Sequence, residues 1–200
     1  MNILEAFRAE PRFSRLARRK ENFEKMVEHV WESVKLKGSA NILETGCAWD
    51  KDNWEGQGQS TLIWDWLIDA AKTDGRSISA MSVDITPTSI ESARKQTKNI
   101  ELVLSDSVKH LNSLHSVYLE HTFLVYLDSF DWSIEKNLES SFHHMAELAT
   151  IWSGLPQGCM IVVDDRHGDH VGKHWMVETF LSHYLKMTPV FKNHQIGYIK

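Results

Sequence analysis

The sequence predicts an α/β domain, a doubly wound and mostly parallel seven-stranded sheet that ends in a C-terminal antiparallel hairpin. Three observations carry that expectation. From residue 41 onward, short apolar runs alternate with longer amphipathic stretches, as repeated βαβ units require. Five of the runs, at 41–45, 79–84, 100–105, 122–128 and 159–164, lack the polar alternation of a half-exposed sheet and suit parallel strands covered on both faces. The last two, at 188–192 and 195–200, are separated only by Asn193 and His194. Two residues cannot hold a parallel crossover, so these runs form a hairpin.

Residues 1–40 read as helical. Phe23, Met26, Val27, Val30, Trp31 and Val34 recur at three- and four-residue spacing on one helix face, with Glu24, Lys25, Glu28 and Glu32 largely off it. Gly38 is the expected stop. Further helices are expected at 60–71, 88–97, 107–114, 134–152 and 171–185, the second with Thr86 as cap and Pro87 at the first helical position. No repeat, low-complexity tract or Pro/Gly/Ser linker divides the chain. One domain, 1–200, is therefore expected, with 1–40 as a helical cover over an α/β core at 41–200.

A hydrophobic fraction of 42% with 24% charged residues excludes a disordered chain. The net charge of -5 argues against a general binder of nucleic-acid phosphates, although Arg15, Arg18, Arg19 and Lys20 make a local basic patch. No apolar run approaches the roughly 20 residues of a membrane-spanning helix. Only Cys47 and Cys159 are present, and Glu5, Arg8 and Glu10 stand where a secretory leader needs an apolar core. A reducing cytoplasm is the expected setting.

Ligands of a doubly wound sheet bind beyond the carboxyl ends of its strands, so the residues ending each run are informative. The first run ends in Glu44-Thr45-Gly46-Cys47, and its loop carries Gly56 and Gly58 before Ser60 and Thr61 open a helix. Gly46 lets the backbone pass close to a ligand, and the amides at the helix start can face a carboxylate; a plain tight turn needs the same glycines. The second run ends in Asp84, where a carboxylate can accept both hydroxyls of a ribose. The third ends in Ser105-Asp106-Ser107, where Asp106 either accepts from an adenine amino group or caps the next helix. The fourth ends in Asp128 and the fifth in Asp164-Asp165, so acids close four of the five strands at one rim. Among the tryptophans, Trp152 and Trp175 are expected in the core. Trp49, Trp54 and Trp132 fall in rim loops, where they can stack on a flat substrate or on adenine.

Glu44-Thr45-Gly46, the Asp84 strand end, Ser105-Asp106-Ser107 and the terminal hairpin together resemble the class I S-adenosylmethionine-dependent methyltransferases, with their Rossmann-like fold, over about residues 41–200. The resemblance implies that Gly46 approaches the methionine part of the cofactor, Asp84 the ribose and Asp106 the adenine, with Glu44, Gly58, Ser60 and Ser107 completing the set. Segment 48–55, with Trp49 and Trp54, departs from the family by lengthening the glycine loop.

Leu127-Asp128-Ser129-Phe130-Asp131-Trp132, a long helix and then Gly158-Cys159-Met160-Ile161-Val162-Val163-Asp164-Asp165 are similar to the macrocin and related sugar O-methyltransferases. In that group and in catechol-type relatives, an acid after strand four and an acidic pair after strand five bind magnesium. The resemblance thus implies Mg²⁺ on Asp128, Asp164 and Asp165, whose hard oxygens suit that ion. A chelated hydroxyl becomes more acidic and is held in line with the methyl sulfonium. Without a cation, three carboxylates so close are expected to repel one another. The family's second strand-four acid follows the first by two positions, whereas Asp131 follows Asp128 by three. The general base is therefore to be sought among Asp131, His143 and His167.

The function expected is methyl transfer to a hydroxyl of a small metabolite, such as a sugar or phenol, with Mg²⁺ assistance. Its rivals are metal-independent transfer by positioning alone, and a non-catalytic S-adenosylmethionine-binding partner subunit. A nicotinamide oxidoreductase conflicts with the missing GxGxxG run and with the terminal hairpin. A zinc site at His167, His170 and His174 lacks the helix glutamate of zinc proteases and any cysteine at ligand spacing. The sequence names no acceptor, and it neither requires nor excludes a homo-oligomer.

Overall fold

The computed structural model describes residues 1–50, 52–57 and 59–200, so Gly58 of the expected glycine loop lies outside the described residues. Helix α1 (Ile3–Ala9), a 3-10 stretch (Pro11–Arg19) and α2 (Lys20–Lys37) precede β1 (Ser39–Thr45). There follow α3 (Trp54–Gln57), α4 (Ser60–Thr73), β2 (Ser77–Asp84), α5 (Pro87–Gln96), β3 (Ile100–Leu104), α6 (Ser107–Ser113), α7 (Ser116–Glu120) and β4 (Thr122–Leu127). The chain continues through α8 (Asn137–Ile151), β5 (Met160–Val163), β6 (Arg166–Gly168), β7 (Val171–Gly172), α9 (Trp175–Glu178) and a π-helical turn (Thr179–Tyr184). It closes on β8 (Phe191–Lys192) and β9 (Ile196–Ile199).

Seven strands form one sheet in the order β3-β2-β1-β4-β5-β9-β8. The first five are parallel, and β9 runs antiparallel to both β5 and β8. The expected doubly wound sheet with its terminal hairpin is thus the one observed. The strand order reverses between β1 and β4, and at such a switch point the following loops diverge and leave a crevice beyond the strand ends.

Side chains alternate across the central strands, and both faces are apolar. Ile42, Leu124, Tyr126, Met160 and Val162 pack beneath α1, α2 and α4, where Phe7, Phe23, Val27, Trp31 and Trp64 are buried. Leu43, Val125, Leu127, Ile161 and Val163 pack on the opposite layer with Leu111 of α6, Leu148 and Ile151 of α8, and Val177 of α9. Each such side chain contributes about 1.5–3 kcal/mol on burial, and this fixes the strand register that places the rim residues. The stripe predicted on α2 is the buried face of that helix, which ends as expected at Gly38, in the left-handed region with its N–H on the Val34 carbonyl.

Several local expectations change. Strand β3 is half-exposed, with Glu101 and Leu104 facing solvent, because it is the sheet's edge and lacks a neighbour on one side. The helix expected at 171–185 starts only at Trp175, since Val171 and Gly172 pair back onto β6. Thr86 stands at the cap position of α5 but makes no side-chain cap bond; its own N–H instead donates to Asp84 Oδ1 at 2.7 Å. Trp54 is not a rim residue but is buried against Phe13, with ring centroids 5.7 Å apart. Trp152 and Trp175 are half-buried. Among the described residues no helix is long and apolar enough to cross a membrane.

Candidate active site at the carboxyl rim of the sheet

Two cavities open along the carboxyl ends of the strands. The larger encloses about 700 Å³ including its mouth and is lined by Gly46, Ser60, Asp84, Asp131 and the acids Asp128, Asp164 and Asp165. The smaller, about 320 Å³, has Val83, Ile85 and Phe130 as apolar walls and Asp106, Ser107 and His143 as polar ones. Asp84 and Ser129 line both, so the two are lobes of one cleft.

Gly46 lines the crevice where the ends of β1 and β4 pass closely. Its φ is +80°, and a Cβ there would lie 2.5 Å from the Asp128 carbonyl oxygen. Only glycine lets the β1 end pass the β4 end so closely. At the next strand, Asp84 Oδ2 accepts from the Cys47 N–H at 3.1 Å and Oδ1 from Thr86. The Cys47 thiol also donates to Oδ2 at 3.6 Å, so Oδ1 is the oxygen that keeps a second lone pair for a ligand hydroxyl. Burial and the Asp84 charge push the Cys47 thiol up, so it is no thiolate nucleophile.

Asp106 caps α6, accepting from Lys109 N–H at 2.8 Å, and also lines the smaller lobe. Beside it, Ser107 Oγ lies 3.0 Å from His143 Nε2, which is 3.3 Å from Glu147 Oε1. Ser129 and Thr45 also donate to Glu147, at 2.6 and 3.2 Å. The bond to Glu147 raises the His143 pKa against the effect of burial. For Glu147 burial works upward, but His143 and the hydroxyls hold its carboxyl below the usual range. His143 faces the lobe of Asp106 and does not line the lobe of Asp128, so it is separated from the acids it was expected to serve.

Glu44, expected among the cofactor ligands, lines neither lobe. It is wholly buried and accepts from Thr61 Oγ1 at 2.7 Å, Trp64 Nε1 at 2.9 Å and Ser82 Oγ at 2.6 Å. Two-residue alternation explains the correction: Glu44 shares the face of Ile42, which is covered by α4, and burial pushes its carboxyl up. Asp131 is exposed within the larger lobe, and Trp49, 57% exposed, stands at its mouth. His167 lines neither lobe; it is exposed and stacks on Trp132, with centroids 4.1 Å apart.

The three acids do not face one another uncompensated. Asp164 is 1% exposed and accepts from Tyr126 Oη at 2.6 Å, from the Asp165 N–H at 2.8 Å and from Arg19 Nε at 3.4 Å. Arg19 also lies 3.5 Å from Asp165 and donates to the carbonyls of Glu55 and Gly56 at 3.2 and 3.1 Å. Lys173, whose side chain is 3% exposed, pairs with Asp128 Oδ1 and lies 3.1 Å from Asp165 Oδ2. Burial, with repulsion from Asp164 and Asp165, pushes Asp128 well up against the pull of Lys173. In Asp165, Lys173 and Arg19 outweigh burial and bring the pKa down.

The expected Mg²⁺ does not suit this arrangement. Mg²⁺ demands near-octahedral oxygens at about 2.0–2.1 Å, and Lys173 takes Asp128 Oδ1 and lies against Asp165 Oδ2, while Arg19 and Tyr126 take both oxygens of Asp164. No group of three His, Cys, Asp or Glu among the described residues is placed to hold a metal ion.

Sequence reasoning placed Arg19 in a surface patch and passed over Lys173 and Tyr126. For Arg19 a signal existed: positions 19, 23, 26, 27 and 30 continue one apolar stripe, and a cation on such a stripe is a buried cation. For Lys173 there was none beyond the preceding Gly172.

A sheet ordered β3-β2-β1-β4-β5-β9-β8 with one antiparallel strand pair at its end defines the Rossmann-like methyltransferase fold. Among solved structures, the chain is similar to the O-methyltransferase NovP with a TM-score of 0.62 and 11% identity, over 90% of this chain and 80% of that one. The calicheamicin methyltransferase CalS11 gives 0.60 and 10%, over 92% and 80%. MycE from the mycinamycin biosynthetic pathway, in complex with Mg, SAH and mycinamycin VI, gives 0.57 and 13% over 89% of this chain; the match spans 48% of MycE. No family model and no curated protein matches the chain. At such identities the likeness defines the fold, and activity has to be read from the site.

Proposed function

We propose that the protein transfers a methyl group from S-adenosylmethionine to a hydroxyl of a small acceptor. The observation that carries this reading is the continuity of the two lobes at Asp84 and Ser129. The smaller lobe has apolar walls for a flat base and Asp106 for its amino edge. Asp84 at the junction suits ribose hydroxyls, and the larger lobe beyond Gly46 and Ser60 has room for a methionine end and an acceptor. The cofactor supplies an electrophilic methyl on a sulfonium, and the acidic lining of the larger lobe favours that positive charge. Asp131, exposed in the same lobe, is the carboxylate free to accept the hydroxyl proton as the new C–O bond forms and the sulfonium becomes a thioether. The solved neighbours named as methyltransferases support the reading.

A second reading keeps the metal: MycE was solved with Mg and SAH, and on that analogy Asp128, Asp164 and Asp165 would hold the ion. The pairing of those acids with Lys173 and Arg19 argues against it.

Calorimetry with S-adenosylhomocysteine tests the proposal. Wild type is expected to bind, and Asp84→Ala, losing charge-assisted bonds worth about 1.5–3 kcal/mol, to bind roughly 10- to 150-fold more weakly. Wild type that ignores S-adenosylhomocysteine, or binds a nicotinamide dinucleotide in its place, would overturn it.

A further inference from the structure

We propose that the buried ammonium of Lys173, seated between Asp128 and Asp165, supplies the positive charge that a divalent ion would otherwise bring, so that this site holds its acceptor without a metal. The inference rests on the reading of the larger lobe as the acceptor site, and it concerns how that lobe works.

The seat is complete. Lys173 Nζ donates to Asp128 Oδ1 and to the Asp128 carbonyl at 3.2 Å, and it lies 3.1 Å from Asp165 Oδ2 as an ion pair. A lysine is almost never this buried unless it is paired.

The backbone is shaped to deliver it. After β5 the chain turns through Asp165, which has φ +50°, then runs out along β6 and back along β7. Gly172 passes so close under Asp165 that a Cβ would lie 2.0 Å from its carbonyl oxygen, and its φ is +130°. The Lys173 N–H then donates to that same carbonyl at 3.2 Å. Two features rare for ordinary residues, a non-glycine in the left-handed region and a glycine at a forbidden approach, thus act together to return Lys173 over the acid pair.

Arg19 completes the balance from the other side. Arg19 lies 3.4 Å from Asp164 and 3.5 Å from Asp165, so two cations face the three acids. A divalent ion would have to expel Lys173 or sit beside it. Lys173 is therefore a positioning residue: it holds Asp128 and Asp165 in place and leaves their remaining lone pairs to the substrate. Carboxylate oxygens accept hydrogen bonds, so the site selects an acceptor that presents a donor, a single hydroxyl or an amine, and gains nothing from a chelating pair of oxygens.

The test is a melting series of wild type, Lys173→Met and Asp128→Asn/Lys173→Met with Mg²⁺, Ca²⁺ or chelator, with and without S-adenosylhomocysteine and a vicinal diol. Wild type is expected to be indifferent to every ion. Lys173→Met removes the cation between Asp128 and Asp165, and Mg²⁺ at a hundredfold excess over its Kd is expected to raise its Tm by roughly 5–10 °C. The double variant, with one acid removed, is expected to lose that response. Wild type stabilised by Mg²⁺ in a manner lost in Asp164→Asn overturns the proposal, as does a folded Lys173→Met that ignores all divalent ions. If Lys173→Met does not fold, the wild-type series decides alone. Failure of wild type to bind S-adenosylhomocysteine would remove the methyl-transfer reading while leaving the melting result to stand or fall by itself.

Discussion

Replacing Gly46 by alanine imposes two costs, and Gly38 offers a way to separate them. The two glycines have nearly the same φ, +80° at Gly46 and +81° at Gly38, but a Cβ at Gly38 would meet nothing within 4 Å. An L-residue in the left-handed region costs about 1–2 kcal/mol, and the stiffer unfolded chain returns about 0.4–1 kcal/mol. Gly38→Ala should therefore destabilise by about 0–1.6 kcal/mol. At Gly46 the new methyl would lie 2.5 Å from the Asp128 carbonyl oxygen and 2.8 Å from its carbon. Both are backbone atoms, so the ends of β1 and β4 must part, and such overpacking adds about 1–3 kcal/mol. Urea denaturation of the two variants measures the difference, and at about 2–4 °C per kcal/mol it is also visible in Tm. Because the displaced carbonyl is one that Lys173 Nζ binds, S-adenosylhomocysteine affinity should fall in Gly46→Ala and hold in Gly38→Ala. Equal destabilisation by the two substitutions would refute the close-approach reasoning.

Acid should destabilise the protein through two buried histidines. Burial lowers His144 to about 4 and His174 to about 3. The unfolded chain protonates near 6.5, so stability falls as pH drops below that value, by about 1.4 kcal/mol per unit for each histidine, or roughly 2 kcal/mol each at pH 5. His143 acts in the opposite sense: its pKa is raised by Glu147, so its contribution is full below about 6.5 and is lost as pH rises through the folded value. Urea denaturation between pH 5 and 7.5 should show the acid slope, flattened in His144→Gln; an unchanged slope would contradict this assignment. Glu44→Gln should cost about 1.5–3 kcal/mol, because an amide turns a donor toward one of the three donors that a carboxylate satisfies. Calorimetry should find its cofactor affinity intact, and a large loss of affinity without loss of stability would return Glu44 to the cofactor set.

How much was legible in the sequence follows from the range over which each feature is decided. Phe23 to Val34 announced a buried helix face because helical spacing is local, and Gly38 announced its end because few residues take a left-handed φ cheaply. The short link at Asn193 and His194, which the structure extends by Gln195, could only be a hairpin. Parallel strands joined by right-handed crossovers bring their carboxyl ends to one side, so Asp84, Asp106, Asp128 and Asp164 could be assigned to one rim without coordinates. What each acid does there was decided only by tertiary structure. Lys173 lies 45 residues from Asp128, and Arg19 lies 145 from Asp164. Neighbouring His143 and His144 have opposite fates because one helix step of about 100° turns one toward the cleft and the other into the core. Glu44 went to the core because β1 is covered on both faces and only its end, at Gly46, opens on the cleft. Periodicity along the chain fixes which residues reach the rim; the charge, proton or hydrogen bond each one carries depends on groups within a few ångströms, and folding brings those from anywhere in the sequence.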